Sequence, residues 1–267
     1  MTPLPDPPEL PSAAWPSWPG WYGPVALLGA LVGTIFAALP VLPLVLVAEM
    51  SDTLGAIALL ILALLQEGVF IGAAVLLAAL SRKPRAWHFG ARATPFWPTL
   101  GWTALAFAAM YGAEVGLIEL FAVDESDVDQ FGSLGGVAAV AVAIVVVLLA
   151  PVAEEIFFRA FFYRALRTRR GVLFSSLVTG AVFASVHLQY YVEPALLLVI
   201  LVFGVGQCVL YERTGSLFAV IVTHTLFNTV AMLEIAAVPA LVTGAMVIAS
   251  CVLTARRLGR APAPMAA

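Results

Sequence analysis

Residues Ala153 to Phe162 read AEEIFFRAFF and follow the uncharged run GGVAAVAVAIVVVLLAPV, Gly135 to Val152. A run of that length and polarity belongs in hydrocarbon, where about 17–25 apolar residues suffice to cross. Glu154, Glu155 and Arg159 therefore stand at the end of a membrane helix, where charge is costly and marks a functional candidate by default. The blander alternative is a buried ion pair that locks two helices together. Glu155 and Arg159 are spaced i, i+4 with the acid N-terminal, the favourable order for pairing on one helix face. Glu154 points about 100° away and has no local partner. One carboxylate is thus structural and the other is left to react.

The whole chain agrees with a membrane setting. Its 267 residues are 62% hydrophobic and 11% charged, too little polar surface for a soluble domain. The net charge of -3 gives no sign of nucleic-acid binding. Cys208 and Cys251 both lie in apolar runs and read as small buried hydrophobes, with no CxxC pair. The predicted fold is all-α and polytopic, with about eight transmembrane helices near 24–48, 54–80, 98–122, 136–163, 172–189, 194–211, 216–233 and 237–255. Residues 1–23 form a Pro/Trp-rich N-terminal tail, in which Trp15, Trp18 and Trp21 are expected at the membrane interface. Residues 24–130 hold the first three helices, 131–235 a core of helices four to seven, and 236–267 the last helix and a basic tail.

Charge sets the orientation. Arg82, Lys83, Arg85 and Arg92, then Arg164, Arg167, Arg169 and Arg170, then Arg213, then Arg256, Arg257 and Arg260 all fall on one side of eight helices. The opposite loops carry Glu49, Asp52, Asp124, Glu125, Asp127, Asp129, Glu193 and Glu234, with no Lys or Arg. The positive-inside rule then puts both termini in the cytosol of a multi-pass cell-membrane protein.

The chain has three histidines. His88, in the basic stretch WHFGAR, reads as solvated. The other two are in apolar helices. FASVH sets Phe183 and His187 at i, i+4, and HTLFN does the same for His224 and Asn228. With a hairpin turn near Arg170 and Gly171, Glu154 and His187 both lie roughly 24 Å from the turn at 1.5 Å per residue. His224 lies about 14 Å from the next turn, so all three are level if that hairpin protrudes about 10 Å into the cytosol. Glu154, Glu155, Arg159, His187, His224 and Asn228 are thereby expected in one cluster.

That set suits hydrolysis of an acyl bond. A glutamate can take a proton from water, imidazoles can hold the water or a metal, and an Asn amide can steady an oxyanion. Among competing intramembrane chemistries, HExxH, ExxH and GxSG patterns are absent, and GVGQ at Gly204–Gln207 lacks the acid of a GxGD site. Glu67 and Glu114, in the second and third helices, read as hydrogen-bonded structural groups.

EEIFFR resembles the EExxxR motif of the CPBP family, the CAAX protease and bacteriocin-processing proteins. FASVH is similar to that family's FxxxH motif and HTLFN to its HxxxN motif, in the same order, within roughly residues 130–235. The resemblance implies an intramembrane endopeptidase acting on a membrane-associated protein or peptide. It implies that Glu154 activates water, that His187 and His224 position it, and that Asn228 stabilises the oxyanion. Glu155, Arg159 and Phe183 would support the site. A metalloprotease version, with zinc on Glu154, His187 and His224, and a metal-free glutamic version both stay open. A catalytically idle scaffold or immunity-type member of the family, or a proton-coupled transporter, is the alternative.

Overall fold

The computed structural model describes residues 18–123, 136–187, 191 and 193–258. Eight apolar helices account for most of them: α1 (Tyr22–Val47), α2 (Asp52–Ser81), α3 (Phe96–Phe121), α4 (Gly136–Arg167), α5 (Val172–Ser185), α6 (Pro194–Thr214), α7 (Leu217–Ala231) and α8 (Leu233–Leu258). The protein is a polytopic all-α membrane protein. Six of the helices are long and apolar enough to cross a bilayer, whereas α5 and α7 are not. At 1.5 Å per residue those two reach only about 21–23 Å, against about 30 Å of hydrocarbon.

Local chemistry sets the ends. Ser51 and Ser216 each accept a backbone N–H at 3.2 Å, from Leu54 and Ala219, and so start α2 and α7. Glu193 does the same for α6 through Ala195 at 3.2 Å. Gly215 closes α6 in a left-handed conformation (φ 58°), which a glycine adopts without steric cost. Pro40 and Pro43 interrupt the hydrogen-bond ladder of α1 with short tighter turns.

The packing is that of a protein dissolved in lipid. Leu28, Ile35, Phe36, Leu76, Leu105, Leu120, Val238 and Met246 are exposed on the outer faces, as apolar solvent requires. The centre is α4. Phe157, Phe158, Phe161, Phe162 and Tyr163 are all buried, so this stretch has no lipid face. Rings from neighbouring elements close on it: Phe70 of α2 lies 4.9 Å from Phe157, and Phe183 of α5 lies 5.1 Å from Phe158. Against α6, α5 packs backbone to backbone, since a Cβ on Gly204 would stand 2.9 Å from the Gly180 Cα.

Three basic segments meet at one end. Arg92 Nε donates to Gly215 O at 3.1 Å, and Leu217 N donates to Gly90 O at 2.9 Å. At the end of α4, Arg167 Nη2 lies 3.0 Å from Glu212 Oε1, and Tyr163 donates to Glu212 Oε2 at 2.7 Å. The α2–α3 connection, the end of α4 and the α6–α7 turn are thus one clasp. The acidic stretch Asp124, Glu125, Asp127 and Asp129 lies outside the described residues, as do Trp15 and Arg260.

Two expectations are corrected. Trp18 is buried against Phe89 and Phe161, at 5.1 and 5.0 Å, and is not at the interface; Trp21 is exposed. His88 is buried too, because the short helix Ala86–Phe89 turns it inward, where its Nδ1 accepts Arg85 N–H at 3.0 Å.

Two measurements probe this end of the molecule. Burial, with Arg82 and then Arg85 beside it, pushes the His88 imidazole down to about 4. An unfolded histidine titrates near 6.5. Between these values the unfolded chain binds a proton that the folded chain refuses. The stability this group contributes is therefore complete above about pH 6.5 and is lost as pH falls toward 4. Thermal unfolding in detergent is expected to weaken more steeply over that window in the wild type than in His88→Asn; equal slopes would contradict the assignment. For topology, Cys208 and Cys251 are buried, so single cysteines can be placed elsewhere and labelled with an impermeant reagent. Positions Lys83 and Arg169 are expected to be shielded in intact cells and position Met50 to react; the reverse pattern would invert the orientation.

Candidate active site

The site grows from a defect in α4. Pro151 has no N–H, so the carbonyl four residues earlier, that of Val147, loses its helical donor. The ladder around it widens into π form at Val145–Leu149 and again at Glu155–Tyr163. Such widening leaves carbonyls for outside partners and is frequent at functional sites. The partners come from α7. Thr225 Oγ1 donates to Val147 O at 3.2 Å, and Asn228 Nδ2 donates to Val146 O at 2.7 Å. The HTLFN turn is thereby pinned to α4 about two turns before the two glutamates.

Glu155 and Arg159 form the buried pair that their spacing predicts, with Nη1 2.8 Å from Oε1 and neither side chain exposed. The pair is not isolated. Glu155 Oε1 also receives His224 Nδ1 at 2.7 Å and Gln207 Nε2 at 3.3 Å. The Arg159 guanidinium lies over the Phe183 ring, 4.3 Å from its centre, and reaches Gly204 O at 3.5 Å. Phe183 of FASVH thus screens a buried cation by a cation–π contact. A carboxylate accepts and does not donate, so His224 Nδ1 carries a proton, and in the neutral ring Nε2 keeps a lone pair.

That lone pair faces Glu154. His224 Nε2 and Glu154 Oε2 are 3.8 Å apart, too far for a direct hydrogen bond and suited to a water within reach of both. Glu154 retains some exposure, unlike Glu155, so the second carboxylate opens onto space. His187 stands just past the end of α5 and not within it. Its Nδ1 lies 2.7 Å from Phe183 O, so the carbonyl accepts, Nδ1 donates and Nε2 is left as an acceptor. The Phe183 ring lies 4.6 Å from the His187 ring and 6.2 Å from the His224 ring, a spacer between the two imidazoles. Asn228 gives one amide hydrogen to Val146 O, which among the described residues leaves the second for another acceptor.

A catalytic zinc takes three protein ligands and keeps one position open. Glu154 and His224 Nε2 face each other, and the Glu155 carboxylate behind His224 is the usual orienting partner of a metal-bound imidazole. Among the described residues, however, no three His, Cys, Asp or Glu side chains converge at metal-binding spacing. As arranged, Glu154, His187 and His224 do not fit a zinc ion.

Glu67 is buried on α2 and receives Gln66 Nε2 at 3.3 Å. Glu114, on α3, also makes an interaction within the fold. Gln207 and Thr225 escaped sequence reasoning as site residues. The signal for Gln207 was an amide in the middle of an apolar helix. Thr225 had none, because a hydroxyl within a membrane helix usually satisfies itself on its own ladder.

Two substitutions test the scaffold of the site. Glu155→Gln removes the charge that compensates Arg159, and breaking a buried pair from one side costs about 3–5 kcal/mol. Lower yield and a lower unfolding temperature are expected before any direct effect on turnover. Thr225→Val leaves Val147 O without its donor, a loss of about 1–3 kcal/mol, readable as a drop in thermal stability in detergent.

Comparison with known proteins bears on the same segment. Residues 136–230 match the model of a family described as Rce1-like, Type II CAAX prenyl endopeptidase Rce1-like. No curated protein and no solved structure matches the chain. The match begins with α4 and ends within α7, enclosing the EEIFFR, FASVH and HTLFN stretches. By that match, residues 136–230 are similar to the Rce1-like, CPBP family of CAAX-type intramembrane proteases.

Proposed function

We propose that the chain is an intramembrane endopeptidase of the cell membrane in which Glu154 is the general base. The observation that carries this reading is the 3.8 Å gap between Glu154 Oε2 and His224 Nε2, with His224 held in one tautomer by Glu155. A water in that gap donates one hydrogen to the Glu154 carboxylate and the other to His224 Nε2. Glu154 takes its proton as the water oxygen attacks the scissile carbonyl carbon. The second amide hydrogen of Asn228 stabilises the resulting oxyanion. His187, with Nε2 free to accept, orients the substrate or the water. On collapse the C–N bond breaks, and protonated Glu154 returns its proton to the leaving amine. Glu155 and Arg159 keep the charges in place and exchange no proton. The substrate is a membrane-associated protein or peptide, since the site lies among helices with lipid-facing outer surfaces.

Glu154→Gln keeps shape and insertion but removes the base. It is expected to lose about 10²–10⁴-fold in cleavage, measured by comparing membrane proteomes of wild type and variant, then with the purified protein on a peptide so identified. Asn228→Ala is expected to lose about 10²–10³-fold. Full activity in Glu154→Gln would overturn the assignment. Cellular effects that persist in that variant would instead favour a scaffold role. Chelation is expected to leave cleavage unchanged; loss on chelation, with one metal per chain removed by His187→Ala, would favour the metalloprotease version.

A further inference from the structure

Gln207 lies outside the three motif stretches and yet joins the three helices that build the site. It belongs to α6, is fully buried, and spends both hydrogens of its amide. One goes to Glu155 Oε1 on α4 at 3.3 Å and the other to Val220 O on α7 at 2.9 Å. Val220 is four residues before His224, so its carbonyl is the one that His224 N–H meets in an α-helical ladder. A single side chain therefore contacts the carboxylate that holds His224 Nδ1 and the backbone turn that carries His224. The geometry points to Gln207 as the positioning residue that fixes the tautomer and aim of His224, acting through Glu155.

The physical basis is a shared acceptor. Glu155 Oε1 receives Arg159, His224 and Gln207 together, whereas its Oε2 is buried with no donor among the described residues. Without the amide, nothing on α6 distinguishes the two oxygens. The carboxylate is then held by Arg159 and His224 alone, and its last torsion, which is broad for a glutamate, loses one restraint. The acceptor that meets His224 Nδ1 is then less fixed in aim, and in neutral imidazole part of the proton population shifts to Nε2. The ring would then offer a donor to the gap beside Glu154, where an acceptor is needed. A filler of the same volume does not prevent this. Only a donor at that position does.

This inference rests on the reading of His224 as a catalytic residue, but its test does not. The chain has three histidines, so protein uniformly labelled with ¹⁵N-histidine carries three imidazoles, assignable by His88→Asn and His224→Gln. In the wild type at neutral pH, His224 is expected as the pure Nδ1–H tautomer, with one protonated and one lone-pair nitrogen signal. In Gln207→Met, which keeps the shape and removes both donors, the two signals are expected to move toward each other. Gln207→Asn withdraws the amide from Glu155 by one methylene and is expected to give the same shift, so it carries the test should the Met variant not insert. With a cleavable peptide, kcat is expected to fall about tenfold or more, as for other groups that orient a catalytic imidazole, with KM within about twofold. A pure Nδ1–H signature in both variants would overturn the inference. The shift without cleavage in any form, wild type included, would leave the inference standing and remove the proposed function.

Discussion

Everything at the centre of this protein hangs on one carboxylate oxygen held in hydrocarbon. Glu155 Oε1 accepts from Arg159 of α4, Gln207 of α6 and His224 of α7. A carboxylate alone in an apolar core would be untenable, and so would Arg159. Paired, they are tolerable, and the surplus capacity of the oxygen is what recruits the other helices. The constraint is reciprocal. Three helices must stand in register for the pair to be satisfied, and the same register sets His224 before Glu154. The cation is further sheltered by the Phe183 ring, which belongs to α5 and ties His187 to the assembly.

A second constraint makes that register possible. A proline inside a membrane helix frees a carbonyl, which lipid cannot satisfy. Here the repair comes from Thr225 and Asn228, so the weak point of α4 becomes the anchor of α7. The wide π segments on either side of Pro151 matter as well. They spread side chains around α4, so that Glu155, Arg159 and five consecutive or near-consecutive aromatic residues up to Tyr163 are all enclosed by neighbours. Asn228 therefore ties α7 to α4 through one amide hydrogen, and in the proposed mechanism the other serves the oxyanion.

Glu154 differs from Glu155 by one position and by everything around it. Adjacent residues on a helix point about 100° apart. Glu155 faces the α6–α7 side and is consumed by partners. Glu154 faces a partly open space shared with His224 Nε2. Two neighbouring carboxylates are thereby separated by helix geometry into an enclosed one and a partly open one. The shortness of α5 and α7 serves the same end. A helix that stops short of the bilayer width leaves room at its terminus for a polar residue, and His187 stands just past the last turn of α5.

The membrane class, the existence and order of the eight helices, the Glu155–Arg159 pair and the three motif stretches were all legible in the residues. Length, apolar runs and i, i+4 spacing are local properties, and local properties are written along the chain. Contacts between distant helices are not. That His224 donates through Nδ1 to Glu155 and turns Nε2 toward Glu154 depends on the approach of α7 to α4. Gln207 became a site residue only when α6 placed its amide between them, although a lone amide in an apolar helix was visible from the start. His88 and Trp18 were read as surface groups because their neighbours in sequence are polar or terminal. Their burial follows from a clasp between segments more than 70 residues apart, Trp18 with Phe161 and Gly90 with Leu217, which no local pattern encodes.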